Sequence, residues 1–198
     1  MRMLDKSVMN RITNLAMVSG IIVAAVICLQ ALYLPSKAWL SAQLILSSWH
    51  HLRETGESIK PWPWADTEAI AKLTFADIDK EIIVLNGGDP TTLAFSVGAI
   101  APFNQVMKEQ PFVVSGHRDS HFNFISRLEV GQAIGVESNH NYQRDFTIVD
   151  TKIVSADDAL GFIGHQQLLV LITCYPFDAI SQDADQRYLV IAEPQESA

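Results

Sequence analysis

The sequence predicts an all-β globular domain, a barrel or a sandwich, carried behind one membrane-spanning helix. Three observations predict this. Residues 15–34, LAMVSGIIVAAVICLQALYL, run for twenty residues without a charge. From residue 80 onward, short β-like runs are divided by turn residues. Few long helical patterns interrupt them, which favours an all-β architecture over a mixed one.

The uncharged run matches the helix of about 20 residues needed to cross a hydrocarbon layer of about 30 Å. It is longer than the apolar region of a secretory leader, which is about 7–15 residues, and Ala38-Trp39-Leu40-Ser41-Ala42 is a poor small-x-small cleavage site. An uncleaved anchor is therefore expected. Arg2, Lys6 and Arg11 precede it, and Lys37 and Arg53 follow. This small bias favours an N-terminus on the cytoplasmic side. The expected organisation is a cytoplasmic N-terminus at 1–14, an anchor at 15–34, a helical connector with a Pro/Trp segment at 35–66, and a β-domain at 67–198.

Within the connector, residues 36–58 read as an amphipathic helix. Trp39, Leu40, Leu44, Ile45 and Leu52 supply its apolar positions, and Gly56 supplies a stop. Pro61-Trp62-Pro63-Trp64 follows as a stiff segment whose tryptophans call for apolar burial. Residues 67–73 read as a short helical piece. The expected strands are residues 81–85, 112–115, 132–137, 146–154, 168–173 and 187–192, with Gly87-Gly88-Asp89-Pro90 and Gly131 among the turn signals.

Charge narrows the range of partners. The formal net charge is −8 over 198 residues. Residues 1–35 hold three of the 14 basic side chains and one of the 22 acidic ones, so the remainder carries 11 against 21, a formal −10. Nucleic acid and anionic lipid both reward Lys and Arg, so neither is expected as the main partner of the globular part.

The chain has two cysteines, Cys28 inside the apolar run and Cys174 alone in the globular part. A single thiol outside the cytoplasm is a reactive group, an intermolecular partner or a buried filler. Cys174 closes the run 168–173, His117 closes the run 112–115, and Arg187 opens the run 187–192. Each stands at a strand end, where a rigid scaffold meets solvent. Together they are the groups that thiol chemistry uses. A histidine accepts the thiol proton and returns it to a departing amine, and a fixed cation stabilises the oxyanion formed on attack at an amide. Taken singly, each has a blander reading. Arg187 has Asp183 and Asp185 nearby for ordinary ion pairs, Asp119 can pair with Arg118, and His117 and His121 are four apart, a spacing that on a helix could bind zinc.

Gly116-His117-Arg118-Asp119, followed by Leu171-Ile172-Thr173-Cys174-Tyr175-Pro176-Phe177 and then Arg187, resembles the sortases, membrane-anchored cysteine transpeptidases. The family's cysteine motif is written Thr-Leu-x-Thr-Cys; Leu171, Thr173 and Cys174 match it, and Val170 stands where the first Thr is expected. With the N-terminal span and Lys60-Pro61-Trp62-Pro63-Trp64-Ala65-Asp66, the chain is similar to the sortase class of Gram-negative bacteria.

The resemblance implies an eight-stranded β-barrel with the cysteine and arginine on neighbouring strands. It implies that Cys174 attacks the carbonyl of a Thr in a C-terminal sorting signal of an exported protein. His117 then protonates the leaving amine, and Arg187 orients the substrate and stabilises the oxyanion. An amine acceptor, or water by default, resolves the thioester. Ile172 and Thr173 beside the nucleophile are expected to touch substrate. So is Val170, because strand alternation puts residues 170, 172 and 174 on one face. Asp119 and His121 are expected in supporting roles. No cofactor or metal is called for. The expected location is the inner membrane, single-pass, with the catalytic domain facing the periplasm. Two other readings stay open: a cysteine endopeptidase that hydrolyses its acyl-enzyme, and a non-enzymatic anchored barrel that binds peptides.

Overall fold

The computed structural model describes residues 6–106, 110–138, 142–158, 167–179 and 184–195. The chain divides into two compact units, Met1–Ser41 and Ala42–Ala198.

One helix, α1 (Lys6–Thr55), begins the chain and runs through Pro35 without a break. In the first unit every described side chain from Val8 to Leu40 is exposed, including Ile21, Leu29, Leu32 and Trp39. A helix this long, with none of its most apolar 18-residue stretch buried in protein, has the dimensions to cross a membrane. The anchor and the connector helix expected as separate pieces are therefore one element. Trp39 and Leu40, read as apolar positions of the connector helix, are exposed. Gly56 ends the helix as expected: its φ of +76° lies in the left-handed region that glycine enters freely, and its N–H returns to the Leu52 carbonyl.

The second unit is built on a closed barrel of eight strands: β1 (Ala69–Phe75), β2 (Lys80–Asn86), β3 (Val97–Ala99), β4 (Phe112–Ser115), β5 (Ala133–Ser138), β6 (Gln143–Ser155), β7 (Leu169–Tyr175) and β8 (Gln186–Pro194). Their order around the barrel is β1-β2-β3-β4-β7-β8-β6-β5, closing on β1. Two neighbouring pairs are parallel, β2/β3 and β4/β7; the others are antiparallel. The six expected strands are all present. The segment expected to be a helical piece at 67–73 is instead the body of β1. Its apolar residues Ala69, Ala71, Leu73 and Phe75 alternate with half-buried ones, and the strand pairs with β2 on one side and β5 on the other. That alternation has the two-residue period of a strand and outweighs the helix preference of Ala, Leu and Lys. β3 is only three residues long, too short to leave a periodic signal.

Phe75, Phe112, Phe122, Phe124 and Phe146 join Leu73, Ile134, Ile148, Leu169 and Leu171 in the main core. Phe124 meets Phe75 edge-on with ring centroids 4.9 Å apart. Full burial of each such side chain contributes about 1.5–3 kcal/mol before the entropy of ordering is subtracted. A second cluster packs Ile45, Trp49 and Leu52 from the last turns of α1 against Ala69 and Leu85. Arg53 donates to the Ser138 carbonyl at 2.9 Å, which ties the end of α1 to β5. Trp62, half-buried, packs edge-on against Phe95, but Trp64 is 79 % exposed, against expectation.

A short helix, α2 (Pro90–Leu93), sits between β2 and β3. Asp89 caps it, accepting from the backbone N–H groups of Thr91 and Thr92 and from the Thr92 hydroxyl. These bonds hold the Asp89 carboxyl below its ordinary range. On the barrel surface, burial pulls the Lys72 ammonium down. Its pairs with Glu137 at 2.8 Å and Glu81 at 3.0 Å outweigh that and hold it above its usual value.

Candidate active site

The parallel pairing of β4 with β7 sets the site. Its last registered pair is Ser115 with Ile172. Past that pair, Gly116 N–H donates to the Ile172 carbonyl at 3.1 Å, and the Thr173 hydroxyl donates to the Gly116 carbonyl at 2.7 Å. His117, two residues past the end of β4, and Cys174, within β7, come next. Both line one cavity of about 450 Å³, with Arg118 and Asp119 as the other described lining residues. His117 is exposed and Cys174 half-buried.

Gly116 permits this approach. A Cβ there would lie 2.7 Å from the Phe122 ring and 2.9 Å from Val97. Phe122 and Phe124 are fully buried and pull the turn after His117 onto the core, and Phe122 N–H donates back to the His117 carbonyl at 2.9 Å.

On the other side of β7, the antiparallel register sets Arg187 directly opposite Cys174. Residues opposed in this way share a face of the sheet. The Arg187 guanidinium is engaged locally, donating to the Ala184 carbonyl at 2.6 Å and the Gln186 carbonyl at 3.0 Å. Among the described residues its partners are backbone carbonyls; Asp183 lies outside the described residues.

A family model for the sortase domain matches residues 73–195. The chain belongs to the sortase family. Sortase D of Bacillus subtilis is 30% identical over 125 residues, 62% of this chain. That match spans 62% of the relative's length. The catalytic domain of SrtD from B. anthracis is 30% identical with a TM-score of 0.55, covering 65% of this chain and 88% of that one. The structure of a Clostridium perfringens Sortase D5 transpeptidase superposes with a TM-score of 0.62 over 78% of this chain and 99% of that one, at 16% identity, which speaks to the fold alone.

In this sortase fold the remaining candidates take up different positions. β7 alternates as expected. Leu169 and Leu171 point into the main core, while Val170 and Ile172 share an outer cluster with Val113 of β4 and Leu189 of β8. Ile100, Phe103, Val154 and Leu168 pack over that cluster. Val170 has no exposed surface, so the expectation that it meets substrate does not fit; it is a packing residue under this cover. Ile172 keeps 5 % of its surface exposed. Thr173 lies on the opposite face from Cys174, buried, with its hydroxyl committed to Gly116. It joins the histidine strand to the cysteine strand rather than facing the cavity.

Asp119 does line the cavity. His121 opens instead onto a separate cavity of about 290 Å³, with Lys80, Phe95, Ser96 and Ser120. Burial lowers its pKa, and the charges of His117 and Lys80 add to the effect, outweighing its hydrogen bond to the Ala94 backbone. The two histidines lie in a turn rather than on a helix face, so the four-residue spacing does not aim them at a common point. Beyond its place in the Gly116-His117-Arg118-Asp119 motif, Arg118 reads from sequence as a surface partner for Asp119. No motif spacing signals its actual contacts, because they are with backbone carbonyls 58 and 61 residues away.

Proposed function

We propose that this chain is a membrane-anchored cysteine transpeptidase of the sortase class seen in Gram-negative bacteria, with its catalytic domain on the periplasmic face of the inner membrane. The observation that carries the reading is the meeting of Cys174 and His117 at one cavity, with Arg187 in register opposite Cys174.

The substrate is an exported protein with a C-terminal sorting signal. The Cys174 thiolate attacks the carbonyl carbon of the scissile Thr, and negative charge collects on the carbonyl oxygen. The carbon–nitrogen bond then breaks. The departing amine takes its proton from the His117 imidazolium, and a thioester to Sγ remains. An acceptor amine attacks the thioester, gives its proton to the imidazole, and releases the thiolate. Arg187 serves the oxyanion or the substrate backbone by exchanging its bonds to Ala184 and Gln186 for bonds to substrate. Thiol, imidazole and guanidinium complete this cycle without a metal or cofactor.

The test uses the full chain in detergent micelles and a library of internally quenched peptides with Thr at the scissile position, with and without an amine acceptor. Cys174→Ala is expected to abolish cleavage. His117→Ala is expected to lower kcat about 10²–10⁴-fold, and Arg187→Ala about 10²–10³-fold, each with an unchanged urea midpoint. Cleavage that never incorporates the acceptor would convert the reading to an endopeptidase. A Cys174 that resists thiol reagents while peptide still binds would convert it to a binding module.

A further inference from the structure

Arg118, the residue after His117, spans the gap to the cysteine strand. Nη1 donates to the Pro176 carbonyl at 2.8 Å and Nη2 to the Ala179 carbonyl at 2.6 Å. Both carbonyls belong to the turn that leaves β7 just after Cys174. The β4/β7 ladder ends at Ser115 and Ile172, so these bonds lie beyond the reach of the sheet. On the near side, the Gly116 and Thr173 bonds already join the two strands. His117 is therefore flanked by a cross-link at 116 and another at 118. Cys174 is flanked by the same two, at 172–173 and at 176–179.

We propose that Arg118 is a positioning residue, clamping the turn after Cys174 to the turn after β4 so that imidazole and thiol are held at working distance. The proposal rests on the reading of Cys174 and His117 as the reactive pair. The planar guanidinium fork suits two acceptors at once, which a lysine ammonium cannot match with the same rigidity. The turn also has an independent hold on the fold. Phe177 packs edge-on against Tyr188 at 5.0 Å and Tyr175 at 5.7 Å, and it rests on the main core. Removing Arg118 thus loosens the spacing of the pair while leaving the turn attached to the barrel.

The experiment compares Arg118→Ala and Arg118→Lys with the parent in a Cys28→Ala background, full-length in detergent micelles. The rate of Cys174 alkylation by iodoacetamide is followed against pH, since thiol reactivity reports the neighbouring imidazole without needing a substrate. Thermal midpoints and, on any peptide the parent cleaves, kcat and KM are measured alongside. The alkylation profile of Arg118→Ala is expected to move toward that of a His117→Ala control, in which no imidazole stands beside the thiol. Its kcat is expected to fall about 10²-fold with KM little changed, and Arg118→Lys to recover part of both. A parent profile that already matches the His117→Ala control, or an Arg118→Ala profile that matches the parent, overturns the proposal whatever happens to the thermal midpoint. If the parent cleaves no peptide, the transpeptidase reading falls, and the alkylation profiles still decide the clamp.

Discussion

Thr173 shows how a single hydroxyl can matter beside the proposed nucleophile while turned away from its cavity. It is buried and donates at 2.7 Å to the carbonyl of the residue before His117. Thr173→Val keeps the shape and strands the Gly116 carbonyl without this donor, which costs about 1–3 kcal/mol. Chemical denaturation should read that loss. Peptide turnover should fall by more than the small unfolded fraction explains, because the bond joins the two strands that carry the pair. His121 supplies a second test. Its folded pKa lies below its ordinary value of 6.5, chiefly through burial. As pH falls through about 6.5, the unfolded chain takes up the proton first, so stability is full above that pH and declines toward the lower folded value. The urea midpoint should drop on acidification through this window, and His121→Gln should flatten the drop. A midpoint in the parent that is level from pH 7.5 to 5.5 would refute the assignment.

At the scale of elements, the last turns of α1 belong to the barrel's packing. Ile45, Trp49 and Leu52 recur at helical spacing and cover Ala69 of β1 and Leu85 of β2. Trp49→Ala is expected to cost about 3–5 kcal/mol, read as a lower thermal midpoint, whereas Trp39→Ala, at an exposed position of the same helix, should leave that midpoint where it is. The strands that sequence made legible were those with β-branched apolar runs, such as Glu81-Ile82-Ile83-Val84-Leu85 and Phe112-Val113-Val114-Ser115. β1 was hidden because Ala-Ile-Ala-Lys-Leu is locally ambiguous; its two neighbours in the barrel decide it. The site was legible to the extent that strand ends carry chemistry, which gave Cys174, His117 and Arg187 as candidates. Contacts made through the backbone, such as those of Arg118, and the cover over Val170 depend on tertiary approach and have no local signature.

For the whole molecule, the contrast between the two units is the dominant physical fact. The first is a helix with its apolar side chains exposed, and the second a closed, acidic barrel domain. The full chain should partition into the detergent-rich phase of a cloud-point separation. A chain lacking residues 1–41 keeps Ile45, Trp49 and Leu52 and should stay in the aqueous phase with its fold intact. Recovery of the full chain in the aqueous phase would argue against an anchor.

The parallel neighbours β4 and β7 also bear on timing. The bond that joins them at the site links residues 57 apart in the chain. Closing a segment of that length costs roughly 3–4 kcal/mol of chain entropy before any contact is gained, and such long-range pairings form slowly. Until they form, Cys174 has no imidazole held beside it to take its proton. A half-folded chain therefore carries little nucleophilic hazard for its neighbours. If Cys174 is the nucleophile proposed above, its reactivity arrives together with barrel closure, so the order of folding itself acts as a safeguard.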